Sequence, residues 1–209
     1  QFLKSAAAKK YLVVAAETLS RVLDPHDRDS MIYADGAAAA VLEYRDDPDR
    51  SGILSFASRS FTQDEIGYLT FGRSTKRAYL PEKKFIKMQG HRIYEFALEQ
   101  VPGAMKTCFD ETGLPIGDLK KIFIHQANEK MDQAMLIRFY QLYDIQTPPD
   151  NVMPMIIREL GNSSVATVPT LFDMILSGQL PGHELHKGDV VLLASVGAGM
   201  NINALTYRL

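Results

Sequence analysis

The sequence predicts an α/β protein in which a parallel or mixed β-sheet is covered by helices on its faces. Short apolar runs that are rich in β-branched residues alternate along the chain with longer segments whose apolar residues recur at helical spacing. Strands that alternate with helices in this way form a sheet with helices packed against it.

The expected elements follow in chain order. Predicted strands cover residues 10–16, 37–42, 53–56, 121–124, 152–157, 190–194 and 203–207. Predicted helices cover residues 88–111, 129–143 and 165–176. The polar stretch at residues 44–52 contains three aspartates and a proline, so it favours a boundary between two halves of the chain.

Composition limits the classes of function. With 209 residues and 46 % hydrophobic content, the chain can form one large domain or two small ones with a core. A net charge of −2 gives no sign of nucleic-acid binding. The single cysteine excludes an internal disulfide, and neither a metal-ligand spacing, a bilayer-spanning run nor a signal peptide is present in the sequence. We therefore expect a soluble, cytoplasmic protein that does not bind a membrane.

Polar residues follow the predicted strands at three places. The HQAN quartet (125–128) comes directly after strand 121–124, where α/β sheets place ligand sites, although a histidine there is more often structural. In the GNSS loop (161–164), a serine can cap the next helix, which leaves Asn162 unexplained. The VGAG loop (196–199) is a tight turn or a place where backbone N–H groups meet a developing oxyanion.

Four motifs in this order carry a resemblance to a known family. They are DGAAAAV (35–41), IHQAN (124–128), GNSSVATVPT (161–170) and VLLASVGAGMN (191–201). Together they resemble the ketoacyl-acyl carrier protein synthase III family of the thiolase superfamily. The resemblance implies a thiolase-like fold of two similar α/β halves in a five-layered sandwich, usually as a homodimer. By the same resemblance, residues 1–45 are the end of the amino-terminal half, which is incomplete in this chain, and residues 46–209 are the carboxy-terminal half.

The resemblance also implies a reaction, a decarboxylative Claisen condensation of an acyl thioester with a malonyl thioester in fatty acid biosynthesis. The substrates would be carried on coenzyme A or on the phosphopantetheine of acyl carrier protein, with no separate cofactor and no metal. His125 and Asn162 match the family's catalytic pair. Both can donate hydrogen bonds to the thioester oxygen of the malonyl unit and so stabilise its enolate. Ala198 stands where the family has a glycine whose N–H completes a second oxyanion hole.

Five further residues match positions that bind substrate in the family. Asn128 matches a residue that contacts the pantetheine arm, and Arg28 matches an arginine near the nucleotide end of coenzyme A. Lys130 takes the place of a basic residue that meets the carrier, without the two-pronged geometry of arginine. Met88 and Gly90 match positions that line the acyl pocket.

The expected nucleophilic cysteine lies upstream of Gln1 and is not in this sequence. Cys108 falls on the apolar face of a predicted helix, so we expect a structural thiol there. This chain alone is therefore expected to be inactive, and its partner would be the missing amino-terminal segment with the cysteine. Two alternatives stay open: a secondary-metabolism ketosynthase or acyltransferase that joins two acyl chains, favoured by the SVGAGMNIN loop and an insertion within residues 139–150, and a non-catalytic partner subunit.

Overall fold

The structure, a computed structural model, describes residues 8–45 and 51–209. In these ranges the strands are β1 (Lys10–Glu17), β2 (Gly36–Glu43), β3 (Gly52–Ser60), β4 (Leu69–Gly72), β5 (Phe85–Met88), β6 (Leu119–Ile124), β7 (Val190–Gly197) and β8 (Asn201–Arg208). The α-helices are α1 (Gly90–Asp110), α2 (Glu129–Gln141), α3 (Ile157–Leu160) and α4 (Thr167–Leu176). None of the described helices is long and apolar enough to cross a bilayer.

The main sheet is mixed, as the sequence predicts. Its strand order is β3-β8-β7-β6. The edge strand β6 runs parallel to its neighbour β7, whereas β8 is antiparallel to both of its neighbours. The predicted strands at residues 121–124, 190–194 and 203–207 are confirmed as parts of β6, β7 and β8.

Helices cover both faces of this sheet. Successive side chains of a strand point to opposite faces. In β6, Ile122 therefore joins the core with α1 and α2, while its neighbour Phe123 packs against Leu171 of α4. All three side chains are fully buried, and each contributes about 1.5–3 kcal/mol to the stability of the fold. Because both faces are buried, the carboxyl ends of β6 and β7 are held rigidly at one edge of the core.

Strands β1 and β2 form a separate antiparallel sheet, in register from Lys10 opposite Glu43 to Glu17 opposite Gly36. Within the described ranges, both strands pair only with each other. One face exposes Leu12 and Val41, which are 68 % and 65 % accessible. The sheet also contacts α4 and the turn before it. This contact brings the beginning of the described chain to the GNSS loop.

The structure corrects the prediction of a strand at residues 152–157. The carbonyl of Val152 accepts from the N–H of Ile122 at 2.8 Å, which places the segment beside β6. Pro154 has no N–H to continue a ladder. The buried side chain of Gln126 instead donates to the carbonyl of Pro154 at 2.9 Å and accepts from the N–H of Ile156 at 2.9 Å. The segment is therefore held by a side chain rather than by strand pairing.

Two further differences concern element bounds. The short hairpin of β4 and β5 was not predicted, and Met88, predicted to begin a helix, ends β5 instead. The predicted division between residues 45 and 46 falls at the edge of residues 46–50, which lie outside the described residues.

Candidate active site

The strand-end motifs line a common cavity of about 930 Å³. The cavity lies between the end of β1, the β4–β5 hairpin, the GNSS loop and the strands β7 and β8. Its polar lining includes His125 and Asn162, and much of the remaining lining is apolar, including Leu69, Phe71, Ile86, Met88 and Val168. A few polar groups in an apolar cavity are typical of a ligand site.

The backbone of His125 is held by the neighbouring strand β7. Its backbone N–H donates to the carbonyl of Ala194 at 2.8 Å, which continues the pairing of β6 with β7. Burial of the ring lowers the pKa of His125 to about 4, and a hydrogen bond with the backbone of Ser164 acts in the opposite direction. At neutral pH the imidazole is therefore uncharged and carries a single N–H. A hydrogen bond that raises the pKa is one that the ring donates, so a ligand oxygen at His125 competes with the Ser164 backbone for this N–H.

Asn162 is held by hydrogen bonds of both its backbone and its side chain. Its N–H donates to the carbonyl of Ile32 at 2.8 Å, and its carbonyl accepts from the N–H of Ala34 at 2.9 Å, which makes a parallel bridge to Tyr33. The side-chain Oδ1 accepts from the N–H of Ser164 at 2.9 Å. With Oδ1 engaged, the NH₂ group is the part of this side chain that can donate toward a ligand.

Two glycines allow the start of β2 and the GNSS loop to pack closely against neighbouring residues. A Cβ on Gly36 would lie 2.7 Å from the Cβ of Ser163, which is closer than two carbon atoms can pack. Gly161 has a φ of +68°, and a Cβ there would lie 3.1 Å from the carbonyl oxygen of Ile32. The glycines of the DG and GN motifs are therefore required where β2 meets the GNSS loop.

The VGAG loop (196–199) also reaches the cavity. Ala198 lines it, and the Ala198 carbonyl accepts from Nδ2 of Asn201 at 2.9 Å. Gly199 has a φ of +73°, so the chain reverses sharply between β7 and β8. The backbone of Ala198 thus lies at the cavity wall.

Four of the residues expected at the site do not line this cavity. The side chain of Asn128 caps α2 by accepting from the N–H of Lys130 at 3.0 Å, and both residues are exposed on the surface. Arg28 lines a second cavity of about 740 Å³, together with Lys83. Gly90 is the exposed first residue of α1. The structure therefore brings together His125, Asn162, Ala198 and Met88, and leaves these four elsewhere.

The loop that carries Arg28 is anchored by a buried carboxylate. Asp24 is fully buried and accepts from Nζ of Lys87 at 2.6 Å and from the N–H of Thr75 at 2.6 Å. Burial acts to raise the pKa of Asp24, but these and other hydrogen bonds outweigh it and hold the pKa well below its usual range. Lys87 also donates to Asp27 at 2.6 Å. The position of Arg28 is thus tied to strand β5.

Sequence reasoning missed Tyr33, which also lines the cavity. Its hydroxyl donates to Sδ of Met88 at 3.4 Å. Burial, together with the charges of Asp29 and Asp27, raises the pKa of Tyr33 to about 12, so the hydroxyl keeps its proton at neutral pH. The bridge between Tyr33 and Asn162 is a long-range contact, and no local pattern in the sequence predicts it.

None of the described residues that line the cavity is a cysteine. Cys108 is fully buried in α1, and its carbonyl accepts from Oγ of Ser55 at 2.6 Å. Within the ranges 8–45 and 51–209, no three His, Cys, Asp or Glu side chains gather where they could hold a metal ion. Cys108 therefore has the surroundings of a structural thiol.

Comparison with known proteins agrees with this geometry. A family model for 3-oxoacyl-[acyl-carrier-protein] synthase III matches residues 1–61, and the model for the C-terminal part of the same family matches residues 109–209. The two matches together cover well over half of the chain.

Relatives and solved structures match along nearly the whole chain. The β-ketoacyl-[acyl-carrier-protein] synthase III of Bacillus pumilus is 31 % identical over 209 residues, which are 100 % of this chain and 60 % of the relative. The crystal structure of 3-oxoacyl-(acyl carrier protein) synthase III from Pseudomonas aeruginosa has a TM-score of 0.82 at 25 % identity, and the match covers 99 % of this chain and 60 % of that one. The priming β-ketosynthase of the R1128 polyketide pathway has a TM-score of 0.81 at 27 % identity, and the match covers 100 % of this chain and 59 % of that one.

The fold places the chain in the class of proteins with the thiolase-like fold, which confirms the fold class predicted from the sequence. Within that class, the chain belongs to the 3-oxoacyl-[acyl-carrier-protein] synthase III family. It spans about 60 % of the length of the curated relatives that it matches.

Proposed function

We propose that this chain supplies the malonyl-binding side of a 3-oxoacyl synthase III-type site, which joins an acyl thioester to a malonyl thioester with release of carbon dioxide. The observation that carries this proposal is the pairing of two neutral hydrogen-bond donors in one cavity. They are the imidazole of His125, whose pKa is about 4, and the amide of Asn162, whose Oδ1 is already engaged by Ser164.

These donors suit the charge that the reaction develops. When the malonyl carboxylate leaves as carbon dioxide, the electron pair of the broken C–C bond passes into the thioester and forms an enolate with negative charge on its oxygen. Fixed donors aimed at that oxygen stabilise the transition state, and the loss of one such donor typically slows a reaction by about a hundred- to a thousandfold. Neither His125 nor Asn162 has to transfer a proton for this role.

The enolate carbon would then attack the carbonyl of an acyl group held as a thioester on a cysteine, and the cysteine thiolate would leave. Cys108 does not line the cavity and is fully buried elsewhere. We therefore propose that the nucleophilic cysteine is supplied by polypeptide outside this sequence. The backbone N–H of Ala198, at the cavity wall, is proposed to stabilise the oxyanion formed on the attacked acyl group.

The carriers of the two acyl groups are proposed to be coenzyme A and acyl carrier protein. Support comes from the second cavity, where Arg28 and Lys83 can meet phosphate groups, and from the exposed Lys130 at the start of α2, which can meet an acidic carrier. No further cofactor is proposed. The homodimer and the cytoplasmic location implied by the family resemblance stay predictions.

A second candidate is a priming ketosynthase of secondary metabolism. It is favoured by the similarity to the priming β-ketosynthase of the R1128 polyketide pathway, whose TM-score of 0.81 is close to that of the Pseudomonas synthase. The two candidates share the same chemistry and differ in the starter acyl group and the destination of the product.

The test is a product assay with the full-length natural protein that contains these residues. Acetyl- or hexanoyl-coenzyme A is mixed with malonyl-acyl carrier protein, and the carrier-bound product is identified by mass spectrometry. The proposal predicts a 3-oxoacyl product that is longer than the starter by two carbons. A product that joins two long acyl chains would support an acyltransferase of the same fold instead, and binding without turnover would support a non-catalytic subunit.

A further inference from the structure

Tyr33 lines the cavity, and among the described residues its hydroxyl group has only a weak hydrogen-bond partner. The acceptor of its hydrogen bond is the thioether sulfur of Met88, at 3.4 Å. Thioether sulfur is a weak acceptor, and tyrosine hydroxyls in apolar surroundings usually find an oxygen or nitrogen partner. The hydroxyl of Tyr33 can therefore exchange the sulfur for a better acceptor at little cost.

The position of Tyr33 is fixed by its backbone. The residues on either side of it exchange hydrogen bonds of 2.8 and 2.9 Å with Asn162. The side chain lines the same cavity as His125 and Met88. Because Asn162 and His125 are proposed to hold the reacting thioester, the Tyr33 hydroxyl lies on the wall that an attached acyl chain would follow.

Much of the lining nearby is hydrocarbon. Leu69, Phe71 and Ile86 of the β4–β5 hairpin all line this cavity. An all-hydrocarbon acyl chain would leave the Tyr33 hydroxyl with its weak sulfur partner, whereas an oxygen on the chain could accept the hydrogen bond. A site with a donor in place discriminates against a ligand that leaves the donor unpaired.

We propose that Tyr33 is a specificity residue whose hydroxyl donates to an oxygen atom carried by the acyl chain, so that the site favours an oxygenated acyl group over the hydrocarbon of the same length. This inference rests on the proposed function, since it requires that an acyl thioester occupies the cavity.

The test compares two stable thioether ligands, S-hexyl-phosphopantetheine and S-(3-hydroxyhexyl)-phosphopantetheine, which differ by one oxygen atom. Phosphopantetheine is common to coenzyme A and acyl carrier protein, so the choice of carrier does not affect the comparison. Dissociation constants for both ligands are measured by isothermal titration calorimetry with the full-length protein, with its Tyr33→Phe variant and with the control variant Tyr94→Phe. Tyr94 lies in α1 and does not line the cavity.

We expect the unmodified protein and Tyr94→Phe to bind the hydroxylated ligand about three- to tenfold more tightly than the hexyl ligand, the usual scale of one hydrogen bond. Tyr33→Phe should lose this preference and bind the hydroxylated ligand no more tightly than the hexyl ligand. Met88→Leu, which removes the competing sulfur while keeping an apolar side chain, should increase the preference, and it tests the inference even where Tyr33→Phe does not fold.

Two results would overturn the inference in different ways. If both ligands bind and the preference is the same in Tyr33→Phe as in the unmodified protein, the role of Tyr33 is wrong while the proposed function stands. If neither ligand binds to the unmodified protein, the proposed thioester site itself is wrong, and the inference fails with it.

Discussion

Asp132 lies in the first turn of α2, at a buried position where an apolar residue would be expected. Its side chain is fully buried, and neither carboxylate oxygen has a hydrogen-bond partner among the described residues. Burial and, to a smaller extent, the charge of Glu129 raise the pKa of Asp132 to about 8. The backbone N–H of Ala127, which lies near the carboxylate without the geometry of a hydrogen bond, acts in the opposite direction. Near neutral pH the folded protein therefore binds a proton that the unfolded chain has released.

This difference makes the stability of the fold depend on pH. Since the pKa rises from 3.8 to about 8, the folded state holds more protons than the unfolded state between these values, and the free energy of unfolding falls as pH rises through that window. One pKa unit corresponds to about 1.4 kcal/mol, so the free energy of unfolding falls by about 5–6 kcal/mol across the whole window. Above about pH 8, the loss levels off because Asp132 is ionised in both states.

The perturbation is Asp132→Asn, which keeps the shape of the side chain and removes its ionisation. We expect the free energy of unfolding of this variant to exceed that of the unmodified chain by an amount that grows by about 3 kcal/mol between pH 5.5 and pH 8. Urea denaturation followed by circular dichroism gives both free energies at each pH. Other titrating groups are common to the two proteins and cancel in the difference.

The matched control is Asp150→Asn, at an exposed position in the segment that follows α2. An exposed carboxylate stays hydrated in the folded and unfolded states, so the control difference should hardly change with pH. A difference for Asp132→Asn that is as flat as that of the control would refute the reasoning, because it would show that Asp132 is ionised and solvated in the fold.

Three further predictions concern the surroundings of the site. The ring of His125 should titrate by NMR with a midpoint near pH 4, and a midpoint near the ordinary 6.5 would show that the ring is not desolvated. Gly36→Ala should lower the free energy of unfolding by about 1–3 kcal/mol in urea denaturation, because its methyl group would overlap Ser163; an unchanged value would mean that the loop moves freely. Gln126→Leu should cost about 2–5 kcal/mol in the same assay, because it leaves the N–H of Ile156 and a nearby carbonyl buried without partners, whereas a loss below 1 kcal/mol would contradict that account.

The central sheet could be predicted from the sequence because its signals are local. Residues 122–124 of β6 and 190–194 of β7 are continuous apolar runs, since both faces of the sheet are buried under helices there. The hairpin of β4 and β5 was missed for the opposite reason. Each of its strands has four residues, and Phe71 in β4 is 61 % exposed, so neither an apolar run nor a regular alternation marks them.

Residues 152–157 were predicted as a strand because their composition is apolar, but Pro154 and the side chain of Gln126 decide the outcome. The side chain of Gln126 takes the hydrogen bonds that a neighbouring strand would make. Because Gln126 lies in another part of the chain, local patterns do not predict this contact. Predicted patterns are weakest where such a tertiary contact decides the backbone.

The candidate site shows the same division. His125 and Asn162 could be predicted because each lies in a recognisable motif, and both line one cavity in the structure. Tyr33 was missed because its place depends on a backbone bridge to a residue far along the chain. The contact of Asn128 with the pantetheine arm stays a prediction, and in the structure its side chain caps α2.

The central claim is that His125 and Asn162 stabilise the enolate of the malonyl unit and do not activate the cysteine. The most direct test measures two steps in the full-length enzyme: acylation of the cysteine by the starter thioester, followed by intact-protein mass spectrometry, and release of carbon dioxide from the malonyl thioester. His186→Ala, at an exposed position away from the cavity, serves as the control and should change neither step. The account predicts that His125→Ala and Asn162→Ala leave acylation largely intact and slow carbon dioxide release by about a hundredfold or more, the scale of one lost oxyanion donor. An equal loss of both steps in His125→Ala would contradict it, because that result would make His125 the base that activates the nucleophile.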